Sequence, residues 1–354
     1  MKGIMTNMQK NKKFNILFTS SGRRGYLIKY FKDALKGRGL VHAGNSSSNA
    51  PAFYYADKFV ITPLIYDNNY IPFLLDYCIN NSIKIIIPLF DIDLKILAQN
   101  KSLFADYGIT IIVSDENVIN ICNDKWKTAM FCNKYGYLCP KTYLNEEDVL
   151  LDISNKKIQY PIMVKPRWGM GSIAVYEADN KEELIVFGKK VRKEIFNTYL
   201  KYETPENIDT CVVFQKKING QEYGIDVIHD LESNHMTSII KKKIAMRSGE
   251  TDSAIVVNNA ELEDIGTRLG KVLGHIGNLD IDVFVSDNKV YILELNARFG
   301  GGYPFSHCAG IDLPRAIINW ILKIPISDEL FVKEYNHIVQ KDIQMIDMTI
   351  KRSI

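Results

Sequence analysis

The stretch V-Y-I-L-E-L-N-A-R-F-G-G-G-Y, residues Val290 to Tyr303, decides how the whole chain is read. Val290, Tyr291, Ile292, Leu293 and Leu295 have the composition of a buried strand. Glu294 and Asn296, two residues apart, point to the same face of it. Just upstream, I-D-V-F-V-S-D-N-K reads as a partner strand closed by an Asp-Asn turn, with Asp282 on its first arm. Carboxylates inside apolar strands are costly to bury as bare charges. A hard dication offsets that cost, because carboxylate and amide oxygens are the ligands Mg²⁺ takes, usually shared with nucleotide phosphates. Arg298 and the glycines Gly300 to Gly302 follow and suit a loop around an anion. An isolated E-x-N would mean only a half-exposed strand with both side chains in water. Three further pieces of nucleotide chemistry upstream argue against that.

At 354 residues the chain has room for two or three domains. An apolar share of 46% with 24% charged residues is that of a globular protein. A formal charge of +3 gives no global attraction to nucleic acid or a membrane surface. The cysteines form no C-x-x-C, and most lie in apolar stretches, as reduced thiols in a cytoplasmic protein would. Residues 1–13 carry charge without an apolar core, which predicts a flexible leader and not a secretory signal. No apolar run reaches membrane-spanning length.

From Phe14 the pattern runs strand, glycine turn, helix. Ile16, Leu17 and Phe18 form the strand, and Tyr26, Leu27, Tyr30, Phe31 and Leu35 recur at helical spacing. Asp57 to Pro63, Ile83 to Leu89 and Ile109 to Val113 predict further strands. Strands alternating with helices predict an open parallel sheet, with functional groups beyond the carboxyl ends of the strands. Ser20-Ser21-Gly22-Arg23-Arg24-Gly25 lacks the G-x-G-x-x-G spacing, so a dinucleotide role is disfavoured against a substrate-facing or structural turn. Asp91 and Asp93 could equally orient a substrate amine or cap a helix.

Near Asn120 the composition changes. A helix capped by Asn123 or Asp124 carries Lys125 and Lys127. Y-P-I-M-V-K-P-R-W-G-M-G-S-I-A-V-Y then reads strand, loop, strand: Lys165 ends the first strand, Pro166 to Ser172 form the loop, and Ile173 to Tyr176 resume. A glycine-containing tip can fold over phosphates and offer backbone N–H groups, with Lys165 as a compact cation beside them. This is not the G-x-x-x-x-G-K-[ST] loop, because the lysine precedes the glycines. Lys181 to Tyr202 predicts a helical region in two pieces. Thr210 to Ile218 is a strand running into Asn219-Gly220, whose end could present backbone groups to an adenine edge, while Glu222 could reach a ribose hydroxyl. Alternation places Lys241 and Lys243 on one strand face and Lys242 on the other. Arg247 to Asp252 is a polar loop of both signs, suited to a carboxylate or zwitterion. Glu261 to Gly274 predicts a helix with Leu262, Ile265, Leu269, Val272 and Leu273 on its apolar face.

The order Asp124-Lys125, Val164-Lys165-Pro166 with a glycine hairpin, Gln215…Glu222, then Asp282…Glu294-x-Asn296-x-Arg298 resembles the ATP-grasp superfamily of carboxylate–amine ligases. The likeness is greatest to its carbamoyl-phosphate-synthase large-chain-like branch, and it runs from the Ile16 strand to about Lys323. The resemblance implies a pre-ATP-grasp open parallel α/β domain (14–119), followed by a two-subdomain α+β ATP-grasp fold. Subdomain A with its glycine flap would span 120–208, subdomain B with the metal site 209–325, and a C-terminal extension 326–354. By position, Lys125, Lys165 and Lys243 would meet ATP. Gly169, Met170, Gly171 and Ser172 would cover its phosphates. Gln215, Lys216, Lys217 and Ile218 would line the adenine pocket, and Glu222 would meet the ribose. Asp282, Glu294 and Asn296 would hold two Mg²⁺ ions, with Mn²⁺ able to substitute. Arg298 and Lys165 would be catalytic. Arg247, Glu250, Asp252, Arg298, Gly301, Gly302 and His307 are the substrate candidates, His307 with a structural role equally open. Two departures stand out: Lys216 replaces an acidic hinge residue, and Asp282 is shorter than the side chain usual at its place.

The resemblance further implies an ADP-forming enzyme that activates a small carboxylic acid, an amino or sugar acid, as an acyl phosphate and passes it to an amine. Small-molecule substrates would be its partners, with no nucleic acid or membrane, and homodimers are common in the family. Two alternatives stay open: a kinase releasing the phosphorylated acid, and a non-catalytic ATP sensor.

Overall fold

The computed structural model describes residues 14–169, 171–204 and 208–349. The expected leader and Met170 of the glycine loop therefore lie outside the described residues. Five strands, β1 (Asn15–Thr19), β2 (Val41–Asn45), β3 (Lys58–Ile61), β4 (Ile83–Pro88) and β5 (Thr110–Ile111), make a parallel sheet in the order β3-β2-β1-β4-β5. Ile16, Phe18, Ile85 and Ile87 are fully or almost fully buried in it, as strands covered on both faces require. The strand order reverses between β1 and β4, and crevices at such points hold ligands. The Ser20–Gly25 turn and the Asp91–Gln99 helix both open onto this crevice. β2, V-H-A-G-N, was not foreseen as a strand, because His42 and Gly44 interrupt its apolar run.

Four antiparallel strands follow: β6 (Thr142–Tyr143), β7 (Ile162–Pro166), β8 (Tyr176–Ala178) and β9 (Val212–Lys216), in the order β6-β9-β7-β8. The Lys181–Phe196 helix covers them, burying Leu184, Val191 and Ile195 against Ile162, Val164 and Phe214. The third sheet has six strands: β10 (Gln221–His229), β11 (His235–Arg247), β12 (Glu250–Val257), β13 (Gly277–Ser286), β14 (Lys289–Asn296) and β15 (Ile338–Gln340). Its order is β14-β13-β10-β11-β12-β15. The Ala260–Leu273 helix packs on it closely: a Cβ on Gly270 would lie 2.8 Å from Val227.

Several expectations need correction. The boundary at 208/209 separates β9 from the sheet it belongs to; Val213 pairs with Lys165 and Phe214 with Val164, so the chain changes sheets at Lys217–Gly220. The 119/120 boundary falls inside a helix, Glu116–Cys122. Ile173 to Val175 are not strand, because Ser172 and Ala174 have φ of 57° and 53°, and β8 starts at Tyr176. Arg247 to Asp252 is no loop: Ser248 and Gly249, with φ of 50° and 77°, form a two-residue turn between β11 and β12. Val272 is 45% exposed, and Gly266 and Gly270 take the buried face instead. The segment after 326 contributes β15, which pairs with β12. Among the described residues no helix is long and apolar enough to cross a membrane.

Candidate active site

Two adjoining cavities lie where the three sheets meet. The larger, about 1430 Å³, runs between the four-stranded and six-stranded sheets. The smaller, about 660 Å³, reaches from there toward the crevice of the parallel sheet. Lys243, Asp282, Glu294 and Gly171 line both.

Lys165 is the penultimate residue of β7, and its Nζ lies 3.9 Å from Glu294 Oε1. Lys125, first residue of the Lys125–Lys134 helix, reaches the same oxygen at 3.5 Å and donates to the Gly169 carbonyl at 2.7 Å. Local chemistry fixes both lysines. Asp124 caps that helix through the N–H groups of Trp126 and Lys127, and accepts two bonds of 2.8 Å from Arg167, two residues beyond Lys165. Burial pushes the Lys165 ammonium down to about 8, and nearby Lys125 adds to the effect. Burial alone would raise the Glu294 carboxyl, but Lys125 and Lys165 hold it below the ordinary range.

Opposite them, Asp282 and Glu294 are direct partners across β13 and β14, and Asn296 faces Asp280 in the same way. Lys243 Nζ sits 2.6 Å from both Asp282 Oδ1 and Glu222 Oε1. Its own burial opposes its charge, and the two carboxylates overcome this and raise its pKa. Among the described residues no three His, Cys, Asp or Glu side chains gather tightly enough to hold a metal unaided. Two carboxylates and one amide oxygen on one sheet face still suit Mg²⁺, which usually completes its shell with phosphates and water. The donor set fits a metal that arrives with a nucleotide.

Gly169, Gly171, Ser172 and the Gln215–Ile218 segment line the larger cavity. The Gln215 side chain is turned into the sheet, donating to Thr142 Oγ1 at 2.9 Å, and Lys217 pairs with Glu177 at 2.7 Å. Gly301, Gly302, Glu250 and Arg298 line the smaller one. Arg298 is buried and bound through two bonds, of 2.6 and 3.1 Å, to Asp91 at the start of the helix after β4.

Three substrate candidates are not brought to the site. Arg247 is exposed and pairs with the buried Asp252 at 2.9 Å, and neither lines either of the two cavities. His307 stacks on Tyr30 at 3.7 Å, bonds to the Ile311 carbonyl and lines neither cavity.

Four further residues reach the site without having been assigned to it. Asp280 precedes Asp282 by two on the same face, a period the sequence displays; burial and the nearby Asp282 push its carboxyl up to about 7. Lys241 also follows from alternation with Lys243, and it is buried against Asp226. Arg24 lines the smaller cavity and donates to the Phe299 carbonyl, 275 residues away in sequence. Asp91 was weighed only as a cap or amine ligand, and its partner Arg298 is invisible to local pattern.

Residues 122–302 match the ATP-grasp domain, and residues 16–112 the PylC-like N-terminal domain. The carbamoyl phosphate synthase large chain of Thermoanaerobacter sp. is 23% identical over 225 residues, 60% of this chain and 19% of that protein. The chain thus spans about a fifth of the length of the curated relatives it matches. Among solved structures, a biotin carboxylase–β,γ-ATP complex from Campylobacter jejuni superposes with TM-score 0.71 at 18% identity, covering 91% of this chain and 74% of that one. N5-carboxyaminoimidazole synthetase from Staphylococcus aureus, complexed with ADP, superposes with TM-score 0.68 at 17% identity, covering 93% and 82%.

Proposed function

The chain belongs to the ATP-grasp family, and on that premise we propose that it is an ADP-forming ligase joining a small carboxylic acid to an amine. The observation that carries the reading is the convergence on one carboxylate. Lys125 and Lys165 both point at Glu294, which stands opposite Asp282, and the second cavity opens directly beside them. ATP would lie in the larger cavity, its base near Gln215–Ile218 and its ribose near Glu222. Its phosphates would sit between the two lysines and the 169–172 loop. Asp282, Glu294 and Asn296 would hold Mg²⁺ or Mn²⁺, which when bound spreads the charge of the transferring phosphoryl group. The lysines add fixed positive charge on the opposite side and need no rearrangement to do so.

The acid substrate would enter the smaller cavity beside Arg298 and Gly301–Gly302. There its carboxylate faces the γ-phosphate and takes it, releasing ADP. Arg298, pinned by Asp91, would hold the acyl phosphate, and the glycine loops would exclude water until the amine attacks. Amino and sugar acids are the candidate acids, and both suit a cavity lined by so many charged side chains. The test is a panel of amino and sugar acids against amine acceptors, followed by ADP release and product mass. Amine-dependent amide formation is the expected result. Phosphorylated acid without an amine would make the protein a kinase, and absence of turnover would make it a sensor.

A further inference from the structure

The helix that carries Lys125 at its start holds a pair of thiols at its far end. Cys132 is wholly buried in its last turn. Gly136, with φ of 75°, ends the helix and turns the chain back, so that the Tyr137 N–H donates to the Cys132 carbonyl at 2.9 Å. Cys139 then lies along the same helical face, its Sγ 3.8 Å from the Ala129 carbonyl and 3.7 Å from Asn133 Oδ1. Those two residues flank Cys132 on the helix surface, and the two thiols hydrogen-bond to each other. That bond holds the Cys139 thiol below its ordinary range, and the same bond, with burial, pushes Cys132 up. Cys139 is only half-buried, so it is the member of the pair that a dissolved oxidant can reach as thiolate.

The chain around Cys139 is also a wall of the larger cavity. The Leu138 carbonyl accepts from the N–H of Ile292 at 2.8 Å, two residues before Glu294 on β14. Pro140, next to Cys139, lines the cavity. Thr142 donates to the Pro140 carbonyl at 2.8 Å and accepts from Gln215 at 2.9 Å. Residues 138–142 thus tie the thiol pair to β14 on one side and to the base end of the cavity on the other. A disulfide sets its sulfurs at about 2.05 Å, well inside the reach of a thiol hydrogen bond, so closure draws Cys139 into the helix and Pro140 after it. We propose that Cys132 and Cys139 form a reversible disulfide that, once closed, weakens nucleotide binding in the larger cavity. The oxidant is a small-molecule disulfide such as glutathione disulfide. The Cys139 thiolate attacks one of its sulfurs and expels a glutathione thiolate; Cys132 then loses its proton, attacks the Cys139 sulfur of the mixed disulfide and expels the second glutathione. The two thiol protons end on the two glutathiones, and the protein gives up two electrons. The effect on binding rests on the nucleotide placement proposed above; formation of the disulfide does not.

The test uses the full chain, either reduced or incubated with glutathione disulfide, then alkylated and digested with trypsin, which cuts at Lys134 between the two cysteines. Peptides 128–134 and 135–141 should appear as one linked species, while the exposed Cys308 stops at its glutathione adduct. Calorimetry with ADP and Mg²⁺ should then find affinity about tenfold weaker in the oxidised protein and restored by dithiothreitol. Cys139→Ser should bind ADP as the reduced parent does and lose the response to oxidant. Cys308→Ser, which serves should that variant fail to fold, should keep the response in full. The proposal is overturned if no linked peptide forms, if the linked protein binds ADP within about twofold of the reduced one, if Cys139→Ser still responds, or if Cys308→Ser does not. Reduced protein that binds no ADP would instead sink the nucleotide placement, and the linked peptide would still decide whether the thiols pair.

Discussion

Replacing Asp91 by Asn should destabilise the protein by about 3–5 kcal/mol, the usual cost of stripping one partner from a buried ion pair. The pair is well placed to show the full effect. Arg298 and Asp91 side chains are only 5% and 12% exposed, and they meet through two charge-assisted bonds of 2.6 and 3.1 Å. At an effective dielectric of about 20, two unit charges about 4 Å apart attract by roughly 4 kcal/mol, and the isosteric Asn removes the charge without opening a cavity. What remains is a guanidinium buried with nothing to balance it. Guanidinium chloride unfolding, followed by tryptophan fluorescence, measures the loss. The companion variants sharpen the test. Arg298→Met should cost a similar amount, but Asp91→Asn combined with Arg298→Met should cost much less than the sum of the two, leaving a coupling of about 2–3 kcal/mol. A loss below about 1 kcal/mol in Asp91→Asn, or strict additivity in the double variant, would refute the claim that this contact fastens the parallel sheet to the six-stranded one.

Three further expectations follow from other parts of the molecule. Glu294→Gln should reduce ADP release at least about a hundredfold while leaving the unfolding midpoint near that of the parent; near-normal turnover would remove Glu294 from the metal and phosphate site. His229 and His275 stack at 4.0 Å, and among the described residues His229 Nε2 is buried with no hydrogen-bond partner to take an added proton. Burial pushes His229 down to about 4 and His275 well below its ordinary value. The unfolded chain, with histidines near 6.5, therefore takes up protons first. Stability is full above that pH and should fall by about 2 kcal/mol from His229 alone by pH 5, a slope that His229→Asn should flatten in unfolding curves. Gly249 at the β11–β12 turn has φ of 77°, and a Cβ there would lie 2.9 Å from the backbone of Gly171 in the 169–172 loop. Gly249→Val should weaken ADP binding about fivefold, through strain of about 1 kcal/mol at the turn and a displaced loop; unchanged calorimetric affinity would show that the turn does not brace the loop.

The parts of the site that sequence revealed are those whose chemistry is local. Asp282, Glu294 and Asn296 announce themselves because a period of two survives in the chain, and the structure keeps all three on one face. Lys165 was legible for the same reason: it closes a short apolar strand just before two glycines. What escaped depends on distance along the chain. Nothing near Arg24 indicates that it will meet Phe299, or near Asp91 that it will hold Arg298. The Thr210–Ile218 run was legible as a strand, which the structure shortens to Val212–Lys216, yet its neighbours were not, since pairing with β7 on one side and β6 on the other is a tertiary choice. His307 misled because a histidine after a glycine run suggests chemistry, whereas stacking on Tyr30 explains it.

Lys243 stands between Glu222 and Asp282, one ammonium shared by two acidic side chains on neighbouring strands. It acts as an internal counter-ion that keeps those carboxylates from repelling one another. The same contact ties β10, β11 and β13 together at the mouth of the cleft, so the charge that shapes the cleft also braces the sheet behind it.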